Sequence, residues 1–220
     1  MGMVKTLFSI NAFFLSSIII FIIAFCPSAF ADPPPYPQDA VIDIYGQSLR
    51  PGRGYFIYDI ISNYAIVPST AGPDGCPIYV AISSSSSIAS PVSFLSAKGR
   101  EGTIRLDVSV TIQYTNPPPC VNSSLWQVAP PDKNKGGQQL VTLGGEQGKP
   151  GCDTIRTWFK IRKVQRYQER NIYNLVYDPN DVCDVAVQTY GVGYGDSRNE
   201  VQLLALVDVS PIPVVFQPVN

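Results

Sequence analysis

Short hydrophobic runs follow one another along the chain after residue 31, and turn-forming residues separate them. The runs are rich in β-branched and aromatic residues, with Gly, Pro, Asn and Ser between them. None continues with the 3.6-residue period of an amphipathic helix. About a dozen short strands with this spacing predict an all-β barrel or sandwich. The predicted strands are residues 41–44, 55–58, 78–81, 104–108, 110–114, 124–128, 157–164, 172–177, 185–187, 201–207 and 214–216.

The first 31 residues have the features of a secretory signal peptide. Lys5 provides a positive start, residues 13–25 are apolar, and Ala29-Phe30-Ala31 supplies the small residues of a cleavage site. The length of the apolar stretch also allows the alternative of an N-terminal membrane anchor. The polar, proline-rich sequence from Asp32 onward favours cleavage. We therefore expect a signal peptide at 1–31, one β domain at 32–220, and a mature protein that is exported and not held in a membrane.

Composition removes several classes of function. The chain has no His, so it cannot form a Ser-His-Asp triad, a Cys-His dyad or an imidazole metal site. A net charge of −1 gives no general positive field for nucleic acid. We therefore expect no enzyme activity, no cofactor or metal, and no nucleic-acid partner. The carboxylates that could have served as acid and base are interpreted as ordinary turn and strand-end residues: Asp43, Asp107, Asp153, Asp178 and Asp181.

Loss of the signal peptide takes Cys26 with it and leaves four cysteines, none in a C-x-x-C spacing. In an exported chain this indicates two disulfides rather than a metal site or a redox pair. Three pairings of the four are possible in principle. The four are Cys76, Cys120, Cys152 and Cys183.

A predicted hairpin favours one of these pairings. Residues 157–162 and 172–177 flank a polar stretch and are expected to pair as antiparallel strands. If Trp158 lies opposite Tyr177, the same register brings Cys152 opposite Cys183, close to the geometry that a disulfide needs. That leaves Cys76 to pair with Cys120.

Three surface features follow from local sequence. Asn122 begins the sequence Asn122-Ser123-Ser124, which predicts N-glycosylation of an exported protein. Residues 98–102 contain basic residues and are interpreted as a hairpin turn. A positive cluster is interpreted as the solvated face and tip of the hairpin, not as an anion or polysaccharide site: Arg156, Lys160, Arg162, Lys163, Arg166 and Arg170.

A series of longer motifs runs through residues 40–217. It opens with residues 41–49 and 54–57 and continues through Cys76-Pro77, Pro91-Val92-Ser93-Phe94, residues 102–105, Cys120 with Trp126, and residues 151–161, 173–177 and 203–206. In this order the motifs resemble the plant Kunitz inhibitors, the family of soybean trypsin inhibitor and miraculin. The resemblance implies a β-trefoil, with twelve strands in three pseudo-repeats stapled by disulfides.

The same resemblance implies a monomeric, secreted or vacuolar plant inhibitor of serine endopeptidases. Its inhibitory loop would be Pro91, Val92, Ser93, Phe94 and Leu95, with Ser93 entering the primary specificity pocket of the protease. A small residue there favours an elastase-like or subtilisin-like target. A shift by one residue places Phe94 there and favours a chymotrypsin-like target, and trypsin is the least expected target.

The chain also departs from the family pattern. Tyr177 stands where the family has a cysteine, and Pro51 stands where soybean-type members have an Asn that braces the loop. A run of serines at 83–87 lies just before the predicted loop. The alternative prediction is therefore a non-inhibitory, miraculin-like β-trefoil that serves in storage or binds carbohydrate or another ligand.

Overall fold

A computed structural model describes residues 39–71, 75–84, 89–99, 102–133, 136–164, 171–198 and 201–219. The predicted signal peptide lies outside these ranges. Within them, no helix has the length and apolar character needed to cross a membrane. The described chain is all-β, with twelve strands and a 3-10 helix at Cys152–Thr157. The prediction of a twelve-stranded all-β protein is confirmed.

The strands are short, and two of them alternate buried with half-buried positions, as expected of strands that pack one face on the core. β1 (Tyr55–Asp59) and β4 (Val92–Ser96) both bury every second residue. The others are β2 (Ala65–Ser69), β3 (Tyr79–Ser83), β5 (Val110–Tyr114), β6 (Gln127–Val128), β7 (Val141–Thr142), β8 (Lys160–Lys163), β9 (Tyr173–Tyr177), β10 (Tyr190–Arg198), β11 (Val201–Val207) and β12 (Pro213–Pro218).

The strands form one antiparallel sheet that closes on itself. Its order is β5-β4-β1-β12-β9-β10-β11-β3-β7-β6, and β8 pairs with β9. Because β2 pairs with both β1 and β3, the strands β1, β12, β9, β10, β11, β3 and β2 make a closed ring. Closure leaves these strands without open edges inside the ring.

Aromatic side chains fill the interior. Phe94 meets Phe216 edge-on, with 5.4 Å between the ring centres, and Phe216 also lies 5.6 Å from Tyr173. Trp126 packs edge-on against Phe159 at 6.4 Å. These rings come from segments far apart in the sequence and belong to one main core cluster. A second, smaller cluster is formed by Ala81, Leu140, Leu203 and Ala205.

Three predicted strands are not regular strands in the structure, each for a local reason. In the first two, isolated bridges pair Ile42 with Ser48 and Arg105 with Ala40. At 41–44, Asp43 Oδ1 accepts the backbone N–H groups of Tyr45 and Gln47, both at 2.9 Å, and bends the chain. At 104–108, Asp107 has φ of 56°, which breaks the extended conformation. At 185–187, the backbone N–H of Val187 donates to the carbonyl of Val185 in a tight turn.

Strand β10 was missed by the sequence analysis, because its repeated glycines are typical of a loop. Packing explains these glycines. A Cβ at Gly193 would lie 2.4 Å from Val207 Cγ2, and one at Gly191 would lie 2.5 Å from Pro211 Cβ. The strand needs glycine there because β11 and the following turn approach its backbone closely.

Both predicted disulfides are present. Cys76 is bonded to Cys120 and Cys152 to Cys183. The register that suggested the second pair is wrong by one residue, since Lys160 lies opposite Val176. Cys152 reaches Cys183 from the 3-10 helix, not from a continued ladder. The pairing is therefore confirmed, although the geometry behind it differs from the prediction.

The basic face of the β8–β9 hairpin is only partly solvated. Lys160 is 7% exposed, and its Nζ lies 3.3 Å from both Asp178 Oδ2 and Asp181 Oδ1. Arg162 Nε donates to Asp107 Oδ1 at 2.8 Å. The interpretation of the cluster as a solvated surface is thus wrong for Lys160, because its charge is buried against two carboxylates. Arg156 is exposed as predicted, and Arg166 and Arg170 lie outside the described residues.

Candidate functional site

The segment predicted as the inhibitory loop is a core strand. Val92 and Phe94 are each 1% exposed, and Ser93 lies opposite Gln113 in the β4–β5 ladder. Pro91 and Leu95 are half-buried beside them. The side chains of Val92 and Phe94 fill the core and are not available to enter the cleft of a protease. Inhibition through residues 91–95 stays a prediction. The alternating apolar residues Val92 and Phe94 are typical of a half-buried strand.

The tip of this hairpin is residues 97–99, at the start of the connection from β4 to β5, and its residues Lys98 and Gly99 are exposed. The N–H of Gly99 donates to the carbonyl of Ser96 at 3.0 Å, and Gly99 has φ of 91°, a conformation that favours glycine. The N–H of Ala97 donates to the carbonyl of Ser109 at 2.8 Å. Lys98 therefore lies in a turn whose flanking residues are held by backbone hydrogen bonds.

The returning limb is fixed to the body of the domain. Ile104 is fully buried, and its N–H donates to the carbonyl of Leu49 at 2.8 Å. Arg105 forms an ion pair of 2.7 Å with Asp39, and the hydrogen bond from its guanidinium holds the pKa of that carboxyl below its ordinary value. Both limbs are thus held by hydrogen bonds while the tip is exposed.

A groove of about 810 Å³ lies beside this hairpin. Arg50, Pro51 and Gly52 form one wall, and Leu95 with Thr103 contributes to the other. The N–H of Gly52 donates to the carbonyl of Phe94 at 3.0 Å. The turn at 50–53 therefore contacts β4 through its backbone, since Pro51 has no side-chain hydrogen-bond donor.

The remaining predicted site residues lie away from the tip. Asn122 is exposed, whereas the Ser124 hydroxyl of the same sequence is buried and donates to the carbonyl of Tyr114 at 2.9 Å. N-glycosylation of Asn122 stays a prediction. Among the described residues, no group of three or more Cys, Asp or Glu side chains could hold a metal ion.

Comparison of the sequence and the structure with known proteins identifies the family of this chain. Residues 41–218 match the Kunitz legume profile, which is described as trypsin and protease inhibitor. The chain belongs to this Kunitz family. It is 29% identical over 212 residues to miraculin from Synsepalum dulcificum, covering 92% of both chains. It is also 29% identical over 185 residues to Kunitz trypsin inhibitor 5 from Arabidopsis thaliana, covering 81% of this chain and 85% of that protein.

A solved Kunitz structure supports the same conclusion about the fold. The cysteine protease inhibitor PCPI-3 from potato superposes with a TM-score of 0.72 at 27% identity, over 82% of this chain and 97% of that one. The predicted membership of the Kunitz inhibitors is confirmed, and the family is one of protease inhibitors. Its members include inhibitors of different protease classes by name, so membership alone does not define the target.

The sequence analysis interpreted residues 98–102 as a hairpin turn and did not include Lys98 in the candidate site. The strand pattern of 92–96 ends at Ser96, and a basic residue then precedes a glycine in a turn. The alternation in residues 92–96 indicates a strand, and the exposed part of the hairpin therefore begins after Ser96, next to Lys98.

Proposed function

We propose that this Kunitz protein inhibits serine endopeptidases through the tip of the β4–β5 connection, as an inhibitor and not as an enzyme. Lys98 is exposed on the β4–β5 connection, and backbone hydrogen bonds on both sides of the tip hold this connection to the domain. A loop that is already ordered loses little conformational entropy on binding, and this favours tight, substrate-like occupation of a protease cleft.

The proposal places a basic residue in the primary specificity pocket. The earlier expectation of a small or aromatic residue depended on Ser93 and Phe94, which both belong to β4. Lys98 is the basic residue at the tip whose position the structure describes. A second basic residue of the same connection, Arg100, lies outside the described residues. Because the trypsin pocket contains a buried Asp, a lysine or arginine there favours a trypsin-like target.

The test is a titration of trypsin, chymotrypsin, elastase and subtilisin with the mature protein and its variants. We expect the strongest inhibition for trypsin. The variants Lys98→Ala, Arg100→Ala and their combination identify the residue that enters the pocket, since removal of a buried interface anchor weakens binding by about 100-fold or more. Lys149→Ala is the matched control, because Lys149 is an exposed lysine outside the hairpin.

Three results would reject this proposal. The first is inhibition of elastase or subtilisin without inhibition of trypsin. The second is trypsin inhibition that survives the combined Lys98 and Arg100 substitution. Inhibition confined to a cysteine protease such as papain would also reject it and would direct attention to a different surface.

Three further statements belong to the same proposal. We propose that the sheet has the three pseudo-repeats of a β-trefoil, which its likeness to the potato inhibitor supports. We propose export to the apoplast or vacuole after cleavage at Ala31, supported by the two disulfides, since such bonds persist in oxidising compartments. We also propose that the mature protein is a monomer that binds one protease through the tip.

A further inference from the structure

A second cavity, separate from the inhibitory hairpin, has the character of a ligand site. It has a volume of about 740 Å³, within the range of small-molecule sites. Turn residues after β1 and side chains of β2, β3, β10 and β11 line it, and none is shared with the groove at the tip. Tyr64 and Tyr194 remain 42% and 44% exposed at this cavity, so it opens to solvent.

A buried carboxylate fixes the polar groups of the cavity. Asp59 is fully buried and accepts the hydroxyl of Tyr194 and the hydroxyl of Ser62, each at 2.5 Å. It also accepts the backbone N–H groups of Ile61 and Ser62, at 2.9 and 3.2 Å. Tyr194 and Ser62 line the cavity, whereas Asp59 lies behind them. Such support from behind holds recognition groups in one orientation before a ligand arrives.

The direction of these hydrogen bonds defines what the two hydroxyls offer a ligand. Partial burial and the bond to Asp59 raise the pKa of Tyr194 to about 12, so the phenol keeps its proton at physiological pH. That proton is directed to Asp59, and the phenol oxygen keeps acceptor capacity. Ser62 Oγ likewise directs its proton to Asp59, and it accepts the N–H of Tyr64 at 3.2 Å, which leaves one acceptor position for a ligand. The cavity therefore favours a ligand that brings hydrogen-bond donors.

The remaining lining defines the chemical class. Among the described residues that line the cavity, none is Asp, Glu, Lys or Arg, so these residues offer no ion-pair partner to a charged ligand. Val67, Ile82 and Val201 supply apolar surface, and the ring of Tyr64 supplies an aromatic one. Hydroxyl groups on one side and C–H surface on the other are the features of a sugar ring. We propose that this cavity binds a neutral saccharide, in addition to the inhibition proposed above.

The experiment uses the mature protein and three neutral probes, mannotriose, cellotriose and xylotriose, measured by calorimetry and by saturation-transfer NMR. We expect at least one to bind, and expect Tyr64→Ala and Tyr194→Phe to weaken that binding about tenfold or more, close to the loss of one aromatic or hydrogen-bond contact. Tyr45→Ala is the matched control, since Tyr45 is 60% exposed and does not line the cavity. Trypsin titration of the same variants is expected to be unchanged.

The outcomes separate this site from the inhibitory tip. Failure of all three probes to bind at millimolar concentration, or binding that Tyr64→Ala leaves intact, would overturn the saccharide site. A preference for acidic sugars would overturn it as well. Tyr64→Ala removes a surface side chain, so it provides a folded test even if Tyr194→Phe fails to fold. Loss of trypsin inhibition in Lys98→Ala with unchanged saccharide binding would establish that the two sites act independently.

Discussion

Two hairpins of the domain use a lysine in opposite ways. In the β4–β5 hairpin, Lys98 stands exposed at a turn that is tied to the strands below it. In the β8–β9 hairpin, the Lys160 side chain is 9% exposed and lies 3.3 Å from Asp178 and from Asp181. The first arrangement leaves a charge exposed to solvent, and the second holds charges inside the protein.

The difference shows that a basic residue in a hairpin indicates neither recognition nor stability by itself. What decides is whether the rest of the fold brings carboxylates against it. The segment after β9 supplies Asp178 and Asp181 to Lys160, and the disulfide at Cys183 anchors that segment. We therefore expect substitutions at the two lysines to change different measurements.

The largest change in the free energy of unfolding is expected for a substitution in strand β4, below the tip of the first hairpin. Phe94→Ala removes a ring that packs against Phe216 in the core, and Phe→Ala changes in cores cost about 3–5 kcal/mol. Urea unfolding of the mature protein measures this loss. A loss below about 1 kcal/mol would show that Phe94 is a loop residue after all, and the contrast between strand and tip would fail.

Lys160→Ala should have the next largest effect. Removing one partner of a buried ion pair costs about 3–5 kcal/mol, and we expect the lower end because Arg162 still lies 3.3 Å from Asp178. The same urea experiment measures it, and trypsin inhibition of the folded variant should be unchanged. A stability equal to that of the unsubstituted protein would mean that this ion network contributes nothing.

The pH dependence of stability sharpens the account of the second hairpin. Burial raises the pKa of Asp181, but the hydrogen bond from Ser109 and the charge of Lys160 outweigh it and hold the pKa below its ordinary value of 3.8. Its contribution is therefore complete above that value and disappears as the pH falls through the lower folded value. Thermal melting at pH 7 and pH 2.5 should show a smaller acid loss for Asp181→Asn than for the unsubstituted protein. An equal loss would contradict this role.

The smallest effect on stability is expected for Lys98→Ala. The side chain is exposed, and such substitutions change the free energy of unfolding by no more than about 0.5 kcal/mol. A midpoint of urea unfolding shifted as far as that of Lys160→Ala would remove the contrast between the two lysines.

The sequence predicted the features that depend on local pattern. β-branched runs between turn residues indicated the all-β class, and cysteine spacing with export indicated the two disulfides that the structure contains. The predicted hairpin register is wrong by one residue. Cys152 also lies outside the hairpin, in a 3-10 helix that no apolar period predicts. The Gly-rich strand β10 was not predicted, because its glycines are explained by the close approach of β11 and not by a local sequence pattern.

The candidate site was harder to predict because it depends on non-local contacts. A strand and a substrate-like loop are both extended, and in Val92–Ser96 the burial of Val92 and Phe94 and the pairing with β5 distinguish them. In the same way, Lys160 has the composition of a surface strand, and its partners come from a segment beyond β9. Nothing local to Asp59 indicates Tyr194, which lies 135 residues away in the chain.

The central claim is that a protease binds the β4–β5 tip as it binds a substrate. Identification of the peptide bond that the protease cleaves tests this claim most directly. The mature protein would be incubated with a catalytic amount of trypsin at mildly acidic pH, and the new N-terminus identified by mass spectrometry. The account predicts slow, partial cleavage after Lys98 or Arg100 and nowhere else in the folded domain. Persistent trypsin inhibition with cleavage only outside residues 97–103 would contradict it.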